Sequence, residues 1–253
     1  MIGLILGTSE GKRLLELLNK YTEDIFVSTA TAYGGELLKD YKYKVLNSKP
    51  LDLEELVEAL RINKVSALVD ASHPYAVVVS ENAMKACERL NIEYIRYERP
   101  GVIDKFQDKL IRVKDFEDLE HRLSQVEGPI LNTTGSRNIE KFLYMKLKNR
   151  IIHRVLPAVE VMEKCFSLGV GTEDIIAIKG PIGYELNCAF IREYKAQAMV
   201  LKDSGTQGGT EEKLRAAIDC NIQAFVLDRN NISYNKVFNN EETLVSYIVE
   251  EMM

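Results

Sequence analysis

The sequence predicts an α/β protein of two units, each a mainly parallel sheet with helices on both faces. Three observations carry that expectation. Short apolar runs alternate with amphipathic segments along all 253 residues, the pattern of strands joined by crossover helices. Turns rich in glycine and hydroxyls follow several of the runs. The alternation restarts near the middle, after Gly128-Pro129, a strong turn signal. The expected units are residues 1–127 and 128–253.

In the first unit, Ile2–Leu6 reads as a strand and the segment from about Ser9 to Lys20 as a helix, with Leu14, Leu15, Leu17 and Leu18 inward. Ile25–Thr29 and Tyr43–Leu46 read as strands. Leu51–Arg61 is amphipathic, with Leu53, Leu56, Val57 and Leu60 on one face. Strand Ala67–Val69, helix Val77–Leu90 and strand Tyr94–Arg96 follow. Leu110–Val113 is a short strand and Phe116–Val126 a helix. In the second unit the strands are Ile130–Thr133, Ile151–Val155, Ile175–Ile178, Ala198–Leu201 and Ala224–Leu227. Gly169 ends a helix over Val159–Leu168. The last helix covers about Glu242–Met252.

Bulk numbers exclude several classes. A net charge of −5 argues against nucleic acid or an anionic membrane as partner. No apolar run approaches the roughly 20 residues of a membrane span. The start, Met1-Ile2-Gly3-Leu4-Ile5-Leu6-Gly7, reads as a buried strand rather than a signal peptide. Cys87, Cys165, Cys188 and Cys220 are widely spaced, which suits free thiols in a reducing cytoplasm. Neither they nor the three histidines have metal-ligand spacing, so no metal site is expected.

The most informative segment is Asp70-Ala71-Ser72-His73-Pro74-Tyr75-Ala76. It places an imidazole at the carboxyl end of a strand, where open α/β sheets bind their ligands. His73 is the candidate proton donor or substrate-facing cation. Pro74 biases it towards extended backbone. No Ser-His-Asp order or nucleophile elbow is present. Gly7-Thr8-Ser9-Glu10-Gly11 follows the first strand and suits either an anion or a plain helix cap. It is not the full dinucleotide fingerprint.

Thr134-Gly135-Ser136-Arg137 has the same place in the second unit and adds a cation. The next strand ends in His153-Arg154. An arginine at that position favours a ribose 2′-phosphate, hence NADPH over NADH. Ser28-Thr29-Ala30-Thr31 and Tyr33-Gly34-Gly35 end the first unit's second strand; they suit a phosphate or carboxylate contact or a plain turn, and the plain turn is preferred. Lys179-Gly180-Pro181 and Lys202-Asp203-Ser204-Gly205 put lysines at strand ends beside small residues. Arg96 and Arg99 form a further cationic pair suited to carboxylates.

Together these segments resemble the precorrin-6A and cobalt-precorrin-6A reductases of corrin-ring biosynthesis. The matching stretches are Ile5-Leu6-Gly7-Thr8-Ser9-Glu10, Ser28-Thr29-Ala30-Thr31 with Gly34, Asp70 to Ala76, and Arg96-Tyr97-Glu98-Arg99-Pro100. They continue through Thr134-Gly135-Ser136, Arg154-Val155-Leu156-Pro157 and Gly180-Pro181 to Lys202-Asp203-Ser204-Gly205, with Gly208-Gly209 and Lys213. Ser72 stands where the family usually has threonine, Tyr75 where it has phenylalanine, and Ile182 where an aromatic is common.

The resemblance implies two Rossmann-like domains with an interdomain cleft, and NADPH-dependent reduction of one carbon–carbon double bond in a tetrapyrrole. The expected cofactor residues are Thr134, Gly135, Ser136, Arg137 and Arg154, with Gly7 and Thr8. The expected substrate residues are Ser72, Tyr75, Arg96, Arg99, Lys179, Lys202, Ser204 and Gly205. His73 is the expected proton donor, with solvent as its rival. Two alternatives stand beside this reading: a tetrapyrrole methyltransferase, and a non-catalytic two-lobed binding protein.

Overall fold

The computed structural model describes residues 1–7, 11–229 and 232–253. The chain starts β1 (Ile2–Leu6), α1 (Gly11–Leu18), β2 (Ile25–Thr29), α2 (Ala32–Glu36), β3 (Val45–Asn47) and α3 (Leu53–Ile62). It goes on through β4 (Ala67–Ala71), α4 (Val77–Leu90), β5 (Glu93–Tyr97), β6 (Ile111–Val113), α5 (Phe116–Leu123), β7 (Ile130–Asn132), α6 (Ile139–Tyr144) and β8 (Ile151–Val155). Then come α7 (Val159–Ser167), β9 (Ile175–Ala177), α8 (Tyr184–Glu193), β10 (Ala198–Lys202), α9 (Thr210–Asp219), β11 (Gln223–Leu227), β12 (Val237–Phe238) and α10 (Glu241–Met252).

The strands form two six-stranded sheets, ordered β3-β2-β1-β4-β5-β12 and β9-β8-β7-β10-β11-β6. Every pairing among the described residues is parallel. Each sheet thus has the doubly wound order in which the strand order reverses near the middle of the sheet. These switch points lie between β1 and β4, and between β7 and β10. That is the Rossmann-like architecture expected from the sequence.

Both faces of each sheet are buried, which is why its strands read as plain apolar runs. On one face of the first sheet, Leu4, Val27 and Val69 pack with the α1 leucines and with Leu244, Val245 and Ile248 of α10. On the other, Ile5, Phe26 and Leu68 meet Leu56 and Leu60 of α3 and Ala83, Ala86 and Cys87 of α4. In the second sheet, Leu131, Met199, Leu201 and Val226 pack under α8 and α9, and Val155 packs with Ile139 and Cys165 on the opposite face.

The division of the chain differs from the expected cut at residue 128. One compact unit is residues 1–100 with 230–253, and the other is residues 101–229. The cause is an exchange of sixth strands. β6 follows β5 in the chain yet pairs with β11, Ile111 opposite Phe225. β12 follows β11 yet pairs with β5, Val237 opposite Arg96. Gly128, at φ +120, turns the chain between α5 and β7 inside one unit.

Local boundaries have local causes. α3 starts at Leu53, because Asp52 caps Glu55 N and Glu55 reaches back to Asp52 N, a reciprocal capping box. α2 forms where a plain turn was expected: Thr31 accepts from Gly34 N at 3.0 Å and starts a helix of five residues. Among the described residues no helix is long and apolar enough to cross a membrane.

Candidate functional site

At the switch point of the first sheet, Gly7 N donates to Ala71 O at 3.1 Å, which ties the ends of β1 and β4 together. Thr8, expected to contact the cofactor, lies outside the described residues. Below the edge is a buried polar cluster. Asp70 and Arg96 face each other across β4 and β5, both fully buried, and pair at 3.0 Å. Asp70 also accepts from Ser72 N at 2.9 Å, Ser80 Oγ at 2.6 Å and Tyr94 Oη at 2.8 Å. Arg96 Nη1 reaches Ser72 Oγ at 3.2 Å, and the guanidinium lies 5.4 Å from the Tyr234 ring centroid. Burial, followed by the Asp70 charge, pushes the Tyr94 phenol above its usual range.

Arg96 and Arg99 are the cationic pair expected to recognise carboxylates. Both are buried, and the Arg96 guanidinium is engaged with Asp70. Ser72 is buried too, held at its N–H by Asp70 and at its hydroxyl by Arg96. Asp70 and Arg96 together therefore anchor the turn that carries His73. A lone pair on His73 Nδ1 accepts from Tyr75 N at 3.2 Å, which leaves Nε2 to carry the proton of the neutral ring. The His73 and Tyr75 rings, both half-buried, lie 5.7 Å apart. A small cavity opens beside the ends of β1 and β2, lined by Ile5, Thr29, Lys49, Leu56, Val79 and Asn82 among others.

At the switch point of the second sheet, Asn132 ends β7 and organises the turn. Its Oδ1 accepts from Thr134 N at 2.9 Å and Thr134 Oγ1 at 2.7 Å. Its Nδ2 lies 2.9 Å from His153 Nδ1 on β8. His153 is buried against the edge of Phe142, and burial pulls its pKa down to about 4. Gly135 takes φ +90, and a Cβ placed on it would meet nothing within 4 Å. Glycine is therefore needed there for conformation rather than space. Ser136 and Arg137 start the short turn into α6. The Asn138 Nδ2 behind it is buried with no hydrogen-bond partner, an orphan donor at a ligand edge.

The β10 side of this switch point adds charge. Register places Lys202 two residues beyond Val200, which faces Asn132, so it stands level with Thr134. Burial, then the Arg137 and Lys141 cations, pulls the Lys202 pKa down to about 8. Asp203, buried, accepts from Gly205 N at 3.2 Å and Val102 N at 3.3 Å and shapes the following loop. A Cβ on Gly101 would collide with Asp203 Oδ2. Ser204 N donates to Thr210 Oγ1 at 3.0 Å.

The structure thus gathers Thr134, Gly135, Ser136, Arg137, Lys202, Ser204 and Gly205 at one edge, and Gly7, Ser72, His73 and Tyr75 at the other. Arg154 is one residue beyond His153, which faces Asn132, so it stands level with Thr133. Arg154 lies on β8 and donates to Asn187 Oδ1 of α8 at 2.8 Å, and burial lowers its pKa to about 10. Lys179 follows β9, the outermost strand of its sheet. Sequence reasoning missed Asn132 and Lys141, which the structure brings to the second sheet's edge through His153 and Lys202. Only the asparagine at the end of an apolar run gave a signal, as a turn former.

The family model Precorrin-6x reductase CbiJ/CobK matches residues 1–249. The chain belongs to this family. The cobalt-precorrin-6A reductase of Methanocaldococcus jannaschii is 35% identical over 239 residues, covering 94% of this chain and 92% of its own. That of Priestia megaterium is 32% identical over 254 residues, covering 99% of each. That of Salmonella typhimurium is 32% identical over 228 residues, covering 88% and 85%. The solved structure of CobK precorrin-6A reductase has a TM-score of 0.78 at 19% identity, covering 98% of this chain and 96% of its own; the two share a fold. As a member of the precorrin-6x reductase family the chain is an oxidoreductase of corrin-ring biosynthesis.

Proposed function

We propose that the chain reduces one carbon–carbon double bond of precorrin-6A, or of its cobalt complex, with NADPH as hydride donor, giving the corresponding precorrin-6B. The observation that carries this reading is the family match, which runs through both sheets and past every candidate residue. The geometry supports it with two switch points in one chain, since the reaction needs both a dinucleotide and a carboxylated ring to be held. Bound NADPH would supply a hydride to one carbon of the double bond and be released as NADP+, while a proton held by this chain or by solvent would go to the neighbouring carbon. The cofactor carries that chemistry, so the protein binds, orients and supplies the proton.

The ring carboxylates are assigned to the cationic edge of the second sheet, where Lys202, Arg137 and Lys141 converge and Asn138 offers a buried donor. The dinucleotide is assigned to the first sheet, with its pyrophosphate at the end of β1 beside Gly7. This departs from the expectation that Thr134–Arg137 and Arg154 hold the cofactor, because Arg154 is turned to Asn187. His73, on the turn anchored by Asp70 and Arg96, is the proposed proton donor through Nε2–H, in competition with solvent.

The test mixes the protein anaerobically with NADPH and either metal-free or cobalt-loaded precorrin-6A. Nicotinamide absorbance should fall only when a tetrapyrrole is present. An unchanged absorbance with both substrates would remove the reading.

A further inference from the structure

Arg96 and Arg154 are each the second-last residue of a strand, β5 and β8, and their charges are treated differently. Arg96 is compensated, since Asp70 pairs with it at 3.0 Å. Arg154, partly exposed, meets a neutral amide instead. Its Nη1 donates to Asn187 Oδ1 at 2.8 Å, and among the described residues it has no ion pair and no other hydrogen bond. Burial without a carboxylate lowers its pKa to about 10, so the guanidinium is still charged at neutral pH. A charge held out of water without a counter-charge is costly.

Asn187 shows how the cation is held. It is fully buried on α8, and its Nδ2 donates to Ile182 O at 3.2 Å and to Gly183 O at 2.8 Å, the carbonyls just before the helix. Those two contacts fix the amide, so its oxygen must face Arg154. An aspartate would have no donor for the carbonyls and would neutralise the arginine. Asparagine orients the guanidinium and leaves its charge unspent.

The register shows where that charge is aimed. Ile152, two residues before Arg154, lies in the core under α8 and α9, so Arg154 points to that face of the sheet. Leu201 lies in the same core, so its neighbour Lys202 points to the opposite face, towards Arg137 and Lys141. The carboxyl edge of the second sheet therefore presents cations on both faces, which matches a ring with carboxylates around its perimeter.

We infer that Arg154 binds a carboxylate of the tetrapyrrole, and that Asn187 is the positioning residue that keeps it oriented and uncompensated. The inference rests on the proposed placement of the ring at the second sheet and adds to it a pair of residues that select the substrate.

Steady-state kinetics with NADPH and cobalt-precorrin-6A, calorimetric titration with NADPH alone, and thermal melting test it on the full chain. Arg154→Met should raise the KM for the tetrapyrrole by about tenfold or more, the size of a lost charge-assisted hydrogen bond, with a smaller change in kcat. The Kd for NADPH should stay within about twofold. Tm should stay within about 4 °C of the unmodified protein, because no ion pair is broken. Asn187→Ala should raise the same KM on its own and add nothing to it in the Arg154→Met background, since it acts through Arg154. An unchanged KM in Arg154→Met, or a larger fall in its Tm, would make Arg154 a structural cation and overturn the inference. A further rise in KM on adding Asn187→Ala to Arg154→Met would remove the positioning role. A loss of NADPH affinity in Arg154→Met with the tetrapyrrole KM unchanged would put a cofactor phosphate at Arg154; the inference is then wrong and the reductase reading stands. Absence of turnover by the unmodified protein would remove the reductase reading and this inference with it.

Discussion

Protonating His153 should unlock the second sheet's ligand turn. His153 is 2% exposed, and its Nδ1 accepts the Asn132 amide whose oxygen holds Thr134. The neutral ring is thus part of the turn. Burial lowers its pKa from 6.5 to about 4. Between those values the unfolded chain binds a proton that the folded chain refuses. The resulting stability is complete above pH 6.5 and is lost as the pH falls towards 4. For this one group, linkage gives a loss of about 2 kcal/mol between pH 7 and pH 5. That interval lies above the range where most carboxylates titrate.

Urea unfolding at both pH values, for the unmodified chain and for His153→Asn, isolates the effect. The asparagine does not titrate and keeps an acceptor for Asn132, while His73 and His121 contribute equally to both proteins. The unmodified chain should lose about 2 kcal/mol more than the variant on moving from pH 7 to pH 5. Identical losses would show that His153 is not held neutral by its site, and the role given to the Asn132–His153 contact would fall.

Three further outcomes are expected. Asp70→Asn should destabilise the chain by about 3–5 kcal/mol by stranding the buried Arg96 charge; the double variant Asp70→Leu with Arg96→Met should lose less, and thermal melting reads both. His73→Ala should lower kcat for the tetrapyrrole while leaving the Kd for NADPH within about twofold, within the small spread of effects away from a contact; unchanged kcat would make His73 structural. The KM for the tetrapyrrole should rise as the pH passes about 8, where Lys202 loses its charge. Lys202→Met should show a high KM without that rise.

The strands were legible because burial on both faces leaves an unbroken apolar run. Ile2–Leu6, Ile25–Thr29 and Ile151–Val155 sit where their sequences place them. α2 was hidden, since Tyr33-Gly34-Gly35 has little helix propensity and depends on the Thr31 cap. The exchange of β6 and β12 left no local trace, because a strand's pattern reports its burial and not its partner. β12 is two residues long, with Val237 exposed. The turns at the switch points were legible from glycine and hydroxyl content. The fate of Arg96 was not, because an arginine for a ligand and an arginine for a buried carboxylate read alike. Only the register that sets Asp70 opposite Arg96 tells them apart.

The most direct measurement of the central claim uses NADPH deuterated on the transferable face of its nicotinamide, incubated with the protein and cobalt-precorrin-6A. The account predicts a product with two added hydrogens, one of them the label on carbon, formed one for one with oxidised cofactor. A reduced product without label, or oxidised cofactor with an unreduced ring, would contradict it.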